Sequence, residues 1–215
     1  GRFVLPVGVQ AAVSETDKPD TVLLAHGSGG SLSHELVTGR VLSRIAPEAA
    51  PTLDDSAVLE VQGRIAFTTD SYIVDPLFFP GGDIGRLAVC GTVNDLSMVG
   101  ATPRYLSLAL ILEEGFPLES LDAVMRSVGD TCREAGVDIV TGDTKVVNRG
   151  KGDGLFINTA GIGLVPDGRH ISGKLARPGD RILVSGSLAE HGLAIMAARE
   201  GLAFSSAIRS DCAPL

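Results

Sequence analysis

The sequence predicts an α/β or α+β fold, with the topology left open. Short apolar runs of strand length alternate along the chain with helical patterns whose apolar residues recur at the ~3.6-residue period. Turn-forming glycine, proline and aspartate cluster between those segments, and 44% of the 215 residues are hydrophobic, enough to bury a substantial core.

Residues 1–20 end in Ser14-Glu15-Thr16-Asp17-Lys18-Pro19-Asp20 and lack a sustained period, which predicts a flexible lead-in. Val22 to Ala25 then runs into the loop His26-Gly27-Ser28-Gly29-Gly30, and Leu32 to Ile45 reads as a helix. Ala57 to Val61 and Ile65 to Thr69 read as two strands of a hairpin joined by Gln62-Gly63-Arg64. After the turn Phe78-Phe79-Pro80-Gly81-Gly82, Asp83 is the expected N-cap of a helix stopped by Gly100. That helix carries Ala88, Gly91 and Asp95 on one side, a small-residue stripe that predicts close backbone approach and presentation of the carboxylate.

Tyr105 to Leu112 is apolar except for Ser107, the pattern of a strand covered on both faces. Leu118, Leu121, Met125, Val128, Cys132 and Ala135 keep the helical period until Gly136 closes it. Val137 to Val140 reads as a strand ending at Thr141-Gly142-Asp143, and Leu155 to Val165 as another after a glycine-rich turn. The polar connector between Pro166 and Asp180 predicts a domain boundary, with residues 21–166 as the first domain and 167–215 as the start of a second. The second unit holds an expected strand, Arg181 to Ser185, and a helix, His191 to Glu200, too little to close a core, so the chain reads as truncated there.

A net charge of −8 and a pI near 4.9 disfavour nonspecific binding to nucleic acid or an anionic membrane, because the summed field repels phosphate. Cys90, Cys132 and Cys212 have neither disulfide-framework nor zinc spacing, and Cys132 falls on an apolar helix face. With no membrane-length apolar run and no visible leader, the expected location is cytoplasmic.

Four acidic sites carry the chemistry: Asp54-Asp55, Asp70, Asp95 and Asp143, each set among small residues beside an apolar run. Singly, such an aspartate is ordinary as a cap or turn former. Together they suit Mg²⁺, a hard cation that keeps some waters and bridges to phosphates. Lys145, two residues after Asp143 at the mouth of its expected strand, could meet a phosphate or offset developing negative charge, and Lys151 is a weaker candidate. The loop from His26 to Gly30 could form an anion nest but fits neither the P-loop nor the dinucleotide-binding pattern. His26 and His34 are conceivable acid–base groups, though such histidines are more often surface groups.

The stretches His26-Gly27-Ser28-Gly29-Gly30, Thr69 to Gly82 including Pro76-Leu77-Phe78-Phe79-Pro80-Gly81-Gly82, Gly91 to Leu96, and Val140 to Val147 closely resemble the HypE family of hydrogenase maturation factors. That family lies in the superfamily of aminoimidazole ribonucleotide synthetase, selenophosphate synthetase and thiamine-monophosphate kinase. The resemblance implies a two-domain aminoimidazole ribonucleotide synthetase-like fold, with the N-terminal domain complete and the C-terminal domain truncated. It implies ATP and Mg²⁺ as cofactors and a homodimer built through the first domain. Asp54 or Asp55, Asp70, Asp95 and Asp143 would hold the metal and phosphates. Gly27, Ser28, Gly29, Gly30, Asn94, Asp95 and Thr144 would bind the nucleotide, with Lys145 and Asp143 at the reacting group.

The implied reaction is dehydration of a carbamoylated C-terminal cysteine to a thiocyanate, with HypF as carbamoyl donor and the HypC–HypD complex receiving cyanide. No such terminal cysteine is present, and Cys212 sits in a context matching an internal stretch of the family. Ala189-Glu190-His191-Gly192 departs from the usual Gly-Asp-His-Gly, which puts a role for Glu190 in doubt. The alternatives are a small-substrate kinase or synthetase of the superfamily, and a dimeric scaffold for maturation partners.

Overall fold

The computed structural model describes residues 20–46, 56–184, 186–202 and 208–215; the expected lead-in, apart from Asp20, and the Asp54-Asp55 pair lie outside them. Val22 is fully buried and pairs through its backbone with Gly115 and Phe116. A short 3-10 turn, Leu24–Gly27, leads into the expected helix, whose α-helical Ser31–Leu36, π-helical Val37–Leu42 and α-helical Ser43–Ile45 follow without a break and are together α1.

The remaining elements are β1 (Arg64–Tyr72), β2 (Phe78–Phe79), β3 (Gly82–Asp83), α2 (Ile84–Met98), β4 (Thr102–Glu113), α3 (Leu118–Ala135), β5 (Asp138–Val147), β6 (Leu155–Val165) and α4 (Glu190–Glu200). Four strands form one sheet in the order β1-β6-β4-β5, antiparallel except for the β4–β5 pair. Strands β2 and β3 make a small separate hairpin ahead of α2. Helix α2 opens as expected, with the Asp83 carboxylate accepting from the Gly85 and Arg86 amides at 2.7 and 3.1 Å. Helix α3 closes on Gly136, whose φ of 67° is the left-handed conformation a C-terminal glycine supplies.

Helices α2 and α3 cover one face of the sheet. The core lies between them, built from Leu106, Leu108, Leu110 and Leu112 of β4, Leu155 and Ile157 of β6, and Val89, Val93, Leu121 and Met125 of the helices. The small residues of α2 set how closely it packs. A Cβ on Gly85 would fall 2.7 Å from the Val124 carbonyl oxygen of α3, and one on Gly91 would collide with the Tyr72 hydroxyl of β1. Beneath α2, a chain of buried hydroxyls joins three elements. Tyr72 meets Thr92 at 3.1 Å, Thr92 meets Thr159 of β6, and Thr159 donates to the Ala88 carbonyl at 3.3 Å. Burial, above all, pushes the Tyr72 phenol up to about 12, so it stays a neutral hydrogen-bonding group.

Several expectations are corrected. Residues 57–61 form no strand, and Val58 is 93% exposed. Strand β1 ladders with β6 and not with residues 57–61. Among the described residues strand β4 is covered on one face only, with Leu106, Leu108, Leu110 and Leu112 buried in alternation. Its apolar run, interrupted only by Ser107, is explained by the opposite face, where Ala109 and Ile111 join Phe67 of β1, itself 67% exposed. Strand β5 does not stop at Gly142 but runs on to Val147, because β4 supplies a parallel ladder along its whole length. Residues 181–184 are not a strand, and Ile182 and Leu183 are more than nine-tenths exposed, since no other strand among the described residues of that unit offers them a ladder.

Replacing Gly91 with Ala is expected to lower stability by about 1–3 kcal/mol, the usual range for forcing a methyl into a packed seam. Urea unfolding measures it, and an unchanged midpoint would mean that α2 does not sit this close to Tyr72.

Candidate functional site

The first cluster stands where α2 crosses β1. Asp95 follows Thr92 by one helical turn, which carries its carboxylate to the margin of the sheet, and there it accepts from the Thr68 hydroxyl at 3.1 Å. Asp70 lies two residues beyond Thr68 on the same side of β1. Asp70 and Asp95 both reach the Tyr72 phenol electrostatically, each adding to the larger effect of burial. Asp70 accepts from the Ser71 amide at 2.7 Å, while Asn158 donates to the Asp70 carbonyl at 2.9 Å and the Ser71 hydroxyl at 3.0 Å. Asn158 was not among the sequence candidates. Its signal was present as a polar side chain in the middle of the otherwise apolar and small-residue run of β6.

The second cluster is on β5, at the opposite edge. Register places Ser71, Asn158, Ala109 and Asp143 in one row across the four strands. Asp143 and Lys145 therefore share the uncovered face, whereas Asp70, paired with the buried Thr159, lies on the helix-covered side. Three strand spacings separate the two edges, about 14 Å. The expected convergence of Asp70, Asp95 and Asp143 does not occur within one chain, and among the described residues no three His, Cys, Asp or Glu side chains group around a point.

Lys145 donates to Asp143 at 2.8 Å, and the Thr144 amide donates to the same carboxylate oxygen at 2.9 Å. Chiefly through Lys145, the Asp143 carboxyl is held below the ordinary aspartate value. Its contribution to stability is therefore present above that ordinary value and lost as pH falls through the lowered one. Both side chains are more than half exposed, so the pair is weak, salt-sensitive and free to exchange partners.

The glycine loop stands beside this cluster, because a Cβ on Gly27 would lie 2.9 Å from the Val146 amide nitrogen of β5. The anion nest that the loop could form has two of its donors already engaged. The Ser28 amide donates to the Ala25 carbonyl and the Gly29 amide to the Ser33 hydroxyl at 2.9 Å, so local turn bonds engage two of its donors. Gly30 caps α1 without a side-chain bond. His26 is buried, accepts from the Leu23 amide at 2.9 Å and is driven below the ordinary imidazole value by that burial, a structural histidine rather than an exposed base.

Asn94, beside Asp95, is engaged by the end of the chain: it donates to the Ala213 carbonyl at 3.0 Å and accepts from the Leu215 amide at 2.9 Å. Glu190 occupies the first turn of α4, where a carboxylate suits the helix dipole. Lys151 is exposed in a turn whose Gly154 amide donates to Glu113 at 3.1 Å. As a donor set, Asp70 and Asp95 with the Thr68 hydroxyl offer only oxygen, which fits a hard cation held by one or two carboxylates plus water and phosphate.

Residues 53–165 match the family described as AIR synthase related protein, N-terminal domain. The chain belongs to this family. It is 52% identical over 192 residues to the carbamoyl dehydratase HypE of Azotobacter vinelandii, covering 89% of this chain and 56% of that protein. A solved structure of the hydrogenase maturation protein HypE in complex with ATP superposes with a TM-score of 0.86 at 55% identity, over 90% of this chain and 58% of that one. A HypE–HypF complex gives 0.70 at 51% identity, over 86% of this chain and 59% of that one. The chain thus spans little more than half the length of these relatives. The expected mixed α/β fold agrees with the structure and with the match of residues 53–165 to an N-terminal domain family.

Carbon-detected NMR of the Asp143 carboxyl is expected to show a midpoint below the ordinary aspartate value, rising toward it in Lys145→Met. Identical midpoints in the two proteins would show that the pair does not persist in solution.

Proposed function

We propose that this chain is the ATP-binding part of a carbamoyl dehydratase of [NiFe] hydrogenase maturation. The observation that carries the reading is the Asp70–Asp95 corner at the α2–β1 crossing, set in a fold that superposes on an ATP complex of a HypE protein. Residues 21–166 would form the nucleotide-binding and dimerisation domain, and residues 167–215 the beginning of the second domain.

The reaction asks for a better leaving group than an amide oxygen. Transfer of the ATP γ-phosphoryl to that oxygen supplies one, after which loss of phosphate and a proton leaves the thiocyanate nitrile. Asp70 and Asp95 would hold Mg²⁺, which when bound neutralises phosphate charge. Asn158 steadies β1 behind Asp70, and Thr68 orients Asp95. Lys145 would leave Asp143 to meet the charge that develops in transfer, Thr144 would present its amide, and Gly27 to Gly30 would border the nucleotide. Asp54 and Asp55 remain further candidates for the metal.

Asp95 and Lys145 are too far apart in one chain to attend the same phosphoryl group. We therefore infer a homodimer, closed through the uncovered sheet face with Phe67 and Ile111 at its apolar patch, in which one copy contributes the Asp70–Asp95 corner and the other Asp143 and Lys145. HypF as carbamoyl donor and a HypC–HypD acceptor of the cyanide complete the proposal, in the cytoplasm.

Isothermal titration of ATP·Mg²⁺ is expected to lose at least tenfold in affinity when Asp95→Ala and Asp143→Ala are combined in one chain. Mixing the two single variants restores one intact site per mixed dimer. Undiminished binding by the double variant would overturn the site, and failure of the mixture to recover would overturn its assembly from two copies.

A further inference from the structure

Helix α2 presents Arg86, Cys90 and Asn94 on one face, each one turn after the last. The segment 210–215 lies along that face. At one end the Ser210 amide donates to the Pro80 carbonyl at 2.8 Å, and a Cβ on Gly81 would fall 2.6 Å from the Ser210 carbonyl oxygen. Arg86 then donates through Nε to the Cys212 carbonyl at 2.8 Å, and the Cys212 amide donates to the Ser210 hydroxyl at 3.2 Å. At the other end Asn94 holds Ala213 and Leu215. Cys90 stands midway between Arg86 and Asn94, so the segment that touches both passes Cys212 directly over it. Cys90 is 2% exposed, whereas Cys212 is half-buried and reachable from solvent.

We propose that Cys90 and Cys212 are a thiol–disulfide pair, with Cys212 the attacking thiol and Cys90 the resolving thiol, and a low-molecular-weight disulfide as oxidant. The electrostatics agree with that assignment. The Cys212 thiol is held below its ordinary value, first by its interaction with Cys90 and further by the Arg86 guanidinium. The Cys90 thiol is raised, first by Cys212 and then by burial. The influence of Cys212 charge on Cys90 ends once Cys212 has reacted.

In the first step the Cys212 thiolate attacks one sulfur of the oxidant, forming a mixed disulfide and releasing one thiolate. Cys90 then loses its proton and attacks the Cys212 sulfur, closing the intramolecular bond and expelling the second thiolate. Two protein thiols are oxidised as one external disulfide is reduced to two thiols. Closure ties residues 210–215 to α2 at the turn before Asn94 and Asp95. The inference does not depend on the nucleotide reading.

The test exposes the chain to glutathione disulfide, quenches in acid, alkylates after unfolding and maps the peptides. The expected product has lost two hydrogen atoms, carries a Cys90–Cys212 link, and takes up alkylating reagent only at Cys132, whose thiol burial pushes up to about 12. Cys90→Ser, with folding checked by circular dichroism, is expected to stop at a glutathione adduct on Cys212. A stable adduct on Cys212 in the unsubstituted chain would overturn the pairing. So would two thiols that remain alkylatable, or a Cys90→Ser chain that takes up no glutathione.

Discussion

The seat of α2 against the sheet is the constraint on which the rest of the structure depends. Gly85 admits the backbone of α3, Gly91 admits the Tyr72 hydroxyl, and the Tyr72–Thr92–Thr159 chain satisfies the polar groups that this close approach buries. A larger residue at either glycine would lift the helix. Asp95 would then leave Thr68 and the corner it shares with Asp70, and Asn94 would leave the segment it holds. One packing decision therefore sets both the core and the placement of the acidic residues.

The uncovered face of the sheet is the second organising feature. A sheet that places Phe67, Ile65 and Ile111 toward solvent has not finished burying its apolar surface, and the four-stranded order leaves β1 and β5 as its two edges. The same order puts the Asp70–Asp95 corner at one edge and Asp143–Lys145 at the other. The proposed closing of the apolar face by a second copy and the proposed completion of a charged site from two copies would both follow from this one topology.

Much of this was legible in the residues. Asp83 as N-cap, Gly136 as a left-handed stop, the bounds of β6 and the Ala88-Gly91-Asp95 stripe could be read directly, because local capping and periodicity decide them. What was not legible depends on partners distant in sequence. Nothing local tells Ala57 to Val61 that β1 will pair with β6, or tells β5 that β4 will carry its ladder past Gly142. Burial of one face of β4 rather than two is likewise a property of the assembly around the strand. In the site, the aspartates stood out by their small-residue settings, but their distribution over two edges and two faces follows from strand order, which periodicity does not encode. The Asn94 contacts with Ala213 and Leu215 were hidden for the same reason, whereas Asn158 was marked by its polarity within β6.

Intact-mass spectrometry tests the central claim most directly, using a chain extended through the second domain to a family-type terminal cysteine and supplied with a carbamoyl-donating partner and ATP·Mg²⁺. A dehydratase gains one carbamoyl group on that cysteine and then, only with ATP, loses one water. A cysteine left unmodified by a competent donor, or a carbamoyl adduct that ATP does not dehydrate, would contradict the account.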